Sequence, residues 1–501
     1  MKGGIFVDTI WEKTVDMPSF PAFQGRKKVE TAVIGGGIAG ILTAYLLALE
    51  GREVLVLEAD RIGSGQTKGT TAKITVSHGL IYQKLIREVG REQARQYALM
   101  NQTAVRKYRE LIKDHQIDCD FKECSSYLYS NYQEEALKEE VHAAQSLGLP
   151  ADYTSQTELP FSVKGAVRYT GQARFHPLKF LKAAAEGLEI YEQTLVTDVE
   201  RNKIITDRGI VEAENIVFTT HYPIMNRPGY YFLRMHQERS YVLALTGTDH
   251  IEDMYLGVDP NDGLSFRPYG PYLLFGGGGH RTGENLLGGQ YQMLESNARQ
   301  CWGNCRVESA WSAQDCMTID SIPYIGYYSF SKTGWYVATG FKKWGMSSSM
   351  ASALLITDYI IEKRNAFAHV FSPQRLHLKA SAKSLAKEGM VTARNFVLER
   401  MKIPDEEAAH LKKGQGGVIE YEGKKAGAYR DEKEIVHVVS LTCPHLGCIL
   451  QWNPEELSWD CPCHGSRFDY KGNLIDNPAK EDLTHEKPEC ISGDKKKEEL
   501  F

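Results

Sequence analysis

The sequence has no surplus of basic residues: 59 Lys and Arg stand against 64 Asp and Glu, a formal net charge of −5 over 501 residues. A surface that follows phosphate backbones needs a cationic excess, so nucleic acid is not the expected partner. Signs of export are missing too. Met1 to Asp8 shows no apolar core behind a basic end and no small-residue cleavage site, which makes the cytoplasm the expected location. No apolar run calls for a membrane span. The nearest, uncharged Thr31 to Leu49, contains Gly35-Gly36-Gly37, which divides it into a strand, a turn and a helix. Internal repeats are absent. Cysteine is thin except in one place, where Cys443, Cys448, Cys461 and Cys463 fall within 21 residues out of ten cysteines in all. Such clustering, in a chain expected in a reducing compartment, points to a metal or redox site more than to a disulfide framework. Cys301 and Cys305, with no histidine between them, read as ordinary thiols.

What is present is ordinary soluble material, 42% hydrophobic and 25% charged, in a chain too long for one core. Residues 1 to about 30 are irregular and rich in proline and aromatics, an arm laid over a domain. Thr31 to Gly35, Ile38 to Leu49 and Glu53 to Leu57 then form one βαβ unit. Helical patterns occupy 81–116 and 134–147. Short alternating strands, such as 195–199 and 272–275, occupy about 194 to 295 and suggest an antiparallel sheet inserted in an α/β core. A strand at 335–340 and an apolar helix after Gly345 close the first domain, taken as residues 1–375. Residues 376–411 read as a charged linker with one amphipathic helix from Val391 to Met401, and 412–501 as a second, strand-and-turn domain.

Gly35-Gly36-Gly37-Ile38-Ala39-Gly40 satisfies G-x-G-x-x-G between a strand and a helix, and Glu58 ends the next strand 21 residues after Gly37. Gly35 permits the turn, Gly37 the approach of a pyrophosphate and Gly40 close packing of helix on sheet, while the helix N-terminus attracts the phosphates and Glu58 the ribose. Gly276 to Gly279 fails the same test, because Arg281 stands where the last glycine belongs. No separate nicotinamide domain is therefore expected.

The segment from Arg61 to Lys73 resembles the glycine oxidase and D-amino-acid oxidase-like family of FAD-dependent oxidoreductases, whose loop after the ribose acid wraps FAD. Three more segments carry the likeness: His176 to Leu181; Asp320-Ser321-Ile322-Pro323-Tyr324-Ile325-Gly326, with Ser321 in place of a glycine; and Ala338 to Met346. The resemblance implies FAD contacts from Thr67, Thr70, Thr71 and Ala72, and a flavin-proximal loop at Gly340, Trp344, Gly345 and Met346. A helix N-terminus there would stabilise the charge of reduced flavin.

Cys443-Pro444-His445-Leu446-Gly447-Cys448 and Cys461-Pro462-Cys463-His464-Gly465-Ser466 resemble the two boxes of Rieske proteins. The resemblance implies that Cys443 and Cys461 bind one iron of a 2Fe-2S cluster, His445 and His464 the other, and that Cys448 and Cys463 form a disulfide. Cys and His at such spacings also suit zinc, which is the competing reading; six ligand-type residues in this order argue for the cluster. Phe468 stands where high-potential relatives have tyrosine, so the potential is expected in the lower or middle part of a range of roughly −150 to +300 mV.

The fold expected is thus an α/β FAD-binding domain, Rossmann-like in its βαβ unit, with an inserted antiparallel substrate sheet and then a small all-β Rieske domain. The expected activity is oxidation of a small amine or amino-acid-like substrate, with electrons leaving through the cluster to an external one-electron acceptor. An electron-transfer flavoprotein fed by a partner reductase and a redox sensor are the alternatives. Family oxidases usually grip the substrate carboxylate with an arginine near the segment here reading Trp311 to Asp315, where this chain has none. Arg239, Arg267 and Arg281 are other candidates but read as solvated, and His78 reads as a buried polar residue or an active-site base.

Overall fold

Two compact units make up the chain: Met1–Gly279 with Gln290–Leu385, and His280–Gly289 with Ala386–Phe501. The computed structural model describes residues 9–260, 263–375, 377, 381, 389–390, 411–421 and 424–484. The Val391 to Met401 helix and most of the 376–411 linker lie outside the described residues. Among the described residues no helix is long and apolar enough to cross a membrane.

The first unit contains two large sheets. In one, Gly25–Ile34 lies between Gly209–Phe218 and Val54–Leu57, all parallel, with Trp335–Thr339 and Glu189–Tyr191 extending it on either side. Val54–Leu57 buries all four side chains, as a strand covered on both faces must. The Ile38–Leu49 helix is apolar all round and accordingly buried along most of its length. It packs on Gly345–Ile360, whose buried residues include Ser348, Ser349, Ser352 and Ala353.

The first strand starts at Gly25, six residues ahead of the expected Thr31, and Ile10–Lys13 forms a capped turn of helix. Its leading half is exposed and carries Arg26, Lys27 and Lys28, so it shows no buried alternation to read. The inserted sheet also departs from expectation. Val196–Glu200 and Lys203–Thr206 join the first sheet through Gly209–Phe218. The second sheet runs from Arg306–Thr318 through Met235–Thr246, Tyr272–Arg281, Ser265–Tyr269, Met254–Gly257, Lys122–Ser130 and Gly165–Arg174 to Lys73–Ile74. It is not wholly antiparallel, because Met254–Gly257 runs parallel to Lys122–Ser130. Alternating hydrophobicity reports a half-buried strand and says nothing of which strand it will pair with.

In the second unit Gly416–Tyr421, Lys424–Arg430 and Val436–Ser440 form one antiparallel sheet. Gln451–Asn453, Ser458–Asp460, Arg467–Asp469 and Leu474–Asp476 form another. Trp459, Phe468, Leu450 and the box cysteines share one apolar core.

Candidate functional site

The nucleotide turn is built where strand meets helix. Gly35 has φ +108° and donates its N–H to the Leu57 carbonyl at 2.8 Å. A Cβ on Gly40 would stand 1.9 Å from the Gly35 carbonyl oxygen, so only glycine lets the Ile38–Leu49 helix leave the strand at this distance. No acidic side chain lies in the helix's first turn, and Thr67 Oγ1 accepts the Ile38 N–H at 3.0 Å. Ala39 is buried within that first turn. Glu58 accepts the Gly36 N–H at 2.6 Å and the Asp60 N–H at 2.9 Å. Burial pushes its carboxyl above the ordinary range, and those two N–H groups only partly offset it. Further along, Thr70 Oγ1 accepts the Ala72 N–H at 2.9 Å, the Thr70 carbonyl accepts Trp11 Nε1 at 2.8 Å, and Thr71 is half-buried between them. A side-chain-free turn, an uncharged helix start and an acid at the next strand end suit the phosphates and ribose of FAD.

At the other loop, Gly340 has φ +74°, and a Cβ there would lie 2.3 Å from Thr318 Cγ2. Trp344 stands at the N-cap position of the Gly345–Ile360 helix without a side-chain capping bond, and Met346 is buried in the first turn. His78 lies behind this loop, stacked on Trp344 with ring centroids 4.9 Å apart. Its Nε2 faces the Thr75 carbonyl at 2.9 Å and Ser347 Oγ at 2.8 Å, and its Nδ1 faces the Tyr97 hydroxyl at 2.7 Å. A carbonyl only accepts, so Nε2 carries the proton. Burial lowers the His78 pKa to about 3. Its place is that of a neutral brace for Trp344 and Ser347.

The three arginines are not solvated. Arg239 and Arg267 are buried in the second sheet, and Arg281 is buried in the second unit. Arg267 lies over the rings of Trp11, at 5.0 Å, and Tyr269, at 5.4 Å, and donates to the Phe175 carbonyl. Burial, with Arg174 nearby, pulls its pKa down to about 9. Arg239 donates to the Ser312 hydroxyl. A single arginine in a strand leaves no periodic signal of whether an aromatic layer will cover it.

Strand pairing brings Arg239 onto the segment where an arginine was sought, opposite Gln314, and sets acids beside it. Asp315 stands opposite Glu238 across two strands, and Lys343 Nζ lies 3.5 Å from a carboxylate oxygen of each. His236 Nε2 is 3.5 Å from Glu238. Burial pushes Asp315 up to about 6. Burial also opposes the charge of Glu238, but His236 and Lys343 outweigh it and bring Glu238 down to about 2. Sequence reading saw the missing arginine and not this group, which strand pairing assembles from three distant segments.

The two cysteine boxes fold alike. Cys443 N–H donates to the Cys448 carbonyl at 2.9 Å and Cys461 N–H to the Ser466 carbonyl at 2.8 Å, while Gly447 and Gly465 turn back onto the Cys443 and Cys461 carbonyls. Cys443, Cys461 and His464 are buried, and the His445 and His464 rings meet edge to face with centroids 4.9 Å apart. Cys448 and Cys463 are joined as a disulfide between the loops, with Cα atoms 6.6 Å apart. The Cys461 thiol is drawn below its ordinary range, first by the Cys443 thiol beside it and then, against burial, by the amides of His464, Cys463 and Gly465. The partner thiol and burial hold Cys443 well above its ordinary range. Two buried thiols beside two imidazoles on two turns match the donor set of a Rieske cluster.

Comparison with known proteins agrees with this geometry. Residues 30–359 match the family described as FAD dependent oxidoreductase, and residues 401–487 match the Rieske [2Fe-2S] domain. The chain is 37% identical over 488 residues to the Bacillus subtilis (strain 168) protein YhfW, described as a Rieske 2Fe-2S iron-sulfur protein, covering 94% of this chain and 96% of the relative. It is 24% identical to gamma-glutamylputrescine oxidoreductase of Escherichia coli (strain K12), over 68% of this chain and 86% of that one. Glycine oxidase from Geobacillus kaustophilus shares the fold, with a TM-score of 0.57 at 20% identity, over 70% of this chain and 99% of the other. The chain belongs to the FAD dependent oxidoreductase family and carries a Rieske [2Fe-2S] domain in its C-terminal part.

Proposed function

We propose that the protein oxidises a small amine or amino-acid-like substrate and passes the electrons through the Rieske domain to an external one-electron acceptor. The observation that carries this reading is the presence, in one chain, of both donor sets, the glycine turn with Glu58 and the two Cys/His loops. When bound, FAD takes two electrons as a hydride, and a Rieske cluster moves them singly. Gly35, Gly37, Ile38, Ala39, Gly40 and Glu58 would hold the nucleotide, with Thr67, Thr70, Thr71 and Ala72 wrapping it. The loop from Gly340 to Met346 would offer the flavin the positive end of the Gly345–Ile360 helix. Cys443 and Cys461 would bind one iron and His445 and His464 the other, with the Cys448–Cys463 link pinning both loops. Phe468 offers no hydroxyl, so a potential in the lower or middle Rieske range is expected.

On the substrate side, Asp315 and Glu238 with Lys343 supply acids for an amine, and Arg239, held on Ser312, supplies a cation for a carboxylate. The likeness to gamma-glutamylputrescine oxidoreductase points to the amine.

Anaerobic titration of the purified protein with amines and with amino acids, read by flavin absorbance and by the paramagnetic signal of the cluster, tests the proposal. Amines should bleach the flavin and then produce the reduced-cluster signal. Failure of every amine and amino acid, with reduction by a partner reductase instead, would replace this reading with that of an electron-transfer flavoprotein.

A further inference from the structure

The second unit includes ten residues, His280–Gly289, that lie far in sequence from the rest of it. They sit on the second cluster loop. Arg281, buried at 8% exposure, donates from Nε to the Pro462 carbonyl at 2.8 Å and from Nη2 to the Cys463 carbonyl at 3.1 Å. Gly283, with φ +81°, lies so close over Pro462 that a Cβ would be 2.8 Å from the Pro462 nitrogen. The Arg281 carbonyl accepts the Glu284 N–H at 3.1 Å and faces His280 Nδ1 at 2.8 Å, so the segment turns about this arginine. Asn285 Nδ2 also reaches Asn453 Oδ1 at 3.4 Å.

The two carbonyls that Arg281 holds belong to the peptide units between Pro462 and Cys463 and between Cys463 and His464. The N–H ends of those same units, on Cys463 and His464, donate to the Cys461 sulfur. One guanidinium therefore grips the oxygen ends of two peptides whose nitrogen ends hydrogen-bond an iron ligand. A fork of donors fixes both planes together, which an ammonium cannot do. Polarising a peptide at its oxygen strengthens the bond its N–H makes.

We infer that Arg281 is a positioning residue for the Rieske cluster, which raises the cluster's reduction potential by aligning and polarising the two peptides that hydrogen-bond Cys461. With two thiolates and two neutral imidazoles the cluster is uncharged when oxidised and carries one negative charge when reduced. Hydrogen bonds to the sulfurs and a nearby positive charge both favour the reduced form. The gripping residue comes from the sequence of the FAD-family match, residues 30–359, so an isolated Rieske sequence would lack it.

The test is a redox titration of the full-length holoprotein, following the cluster by paramagnetic resonance and the flavin by absorbance. Arg281→Met should keep its iron and shift its g-values. Its cluster should be at least tenfold harder to reduce, about 59 mV lower for a one-electron couple, with the flavin midpoint unchanged. Arg281→Lys, which keeps the charge and loses the fork, should fall between wild type and the methionine variant. A methionine variant with full iron and the wild-type midpoint would overturn the inference, and so would an equal shift of the flavin. If the methionine variant loses its iron, the lysine variant decides. A lysine-variant midpoint below wild type with the flavin unchanged supports the role, and a wild-type midpoint removes it.

Discussion

Asp320 lies in the segment that resembles a family signature, and in the structure it anchors the end of the first unit. Its carboxylate pairs with Arg375 at 2.7 and 2.8 Å, faces His377 at 3.1 Å and accepts the Ile322 N–H at 3.2 Å, all in a buried setting. Burial opposes its charge, but Arg375 and His377 prevail and hold the carboxyl far below its ordinary range. A group depressed on folding adds stability that is complete above the unfolded value, near 4, and is lost as pH falls through the folded value. Asp320→Asn, which strands Arg375, should cost about 3–5 kcal/mol. The variant should also lose stability less steeply than wild type below about pH 4. Thermal release of flavin, measured from neutral to acid pH, reports both. Parallel pH profiles for the two proteins would contradict the assignment. Arg375 and His377 stand 55 and 57 positions from Asp320, so the signature could be seen beforehand but its ion pair could not.

Among the elements, the Ile38–Leu49 helix is the one most fully readable in advance. Nineteen uncharged residues with glycines at one place can only be a buried strand, turn and helix, and the helix bounds came out as expected. Its position depends on Gly40. Gly40→Ala would drive a Cβ into the Gly35 carbonyl and the Thr219 hydroxyl, forcing the helix off the strand that carries the phosphate turn. The purified variant should hold FAD at least about tenfold more weakly, ~1.4 kcal/mol, with its circular dichroism near that of wild type. Undiminished flavin content would show that the close approach is not what the nucleotide needs. Of the second sheet, the strands between 235 and 281 were legible as strands but not as a sheet, and Lys122–Ser130, Gly165–Arg174 and Arg306–Thr318 were not read as strands. Val196–Glu200, expected in the inserted sheet, joins Lys203–Thr206 in the first sheet.

For the whole molecule, the residues fitted to FAD all lie in the first unit and the four cluster ligands in the second. His464→Ala should therefore abolish or alter the cluster signal while leaving FAD bound and reducible by substrate. Turnover with a one-electron acceptor should fall steeply. Turnover at the wild-type rate with that acceptor would remove the cluster from the electron route. Both cofactor sites could be recognised from sequence because each is encoded by short runs whose spacing dictates backbone shape: six residues with Glu58 in one βαβ unit, and two six-residue loops. Only tertiary structure decided that Arg267 is covered by Trp11 and Tyr269, that Asp315 faces Glu238 and Lys343, and that Arg281 grips the loop of Cys461 and His464. Those contacts join residues far apart in the chain. They arise from strand pairing and packing, to which the local pattern of side chains contributes no address.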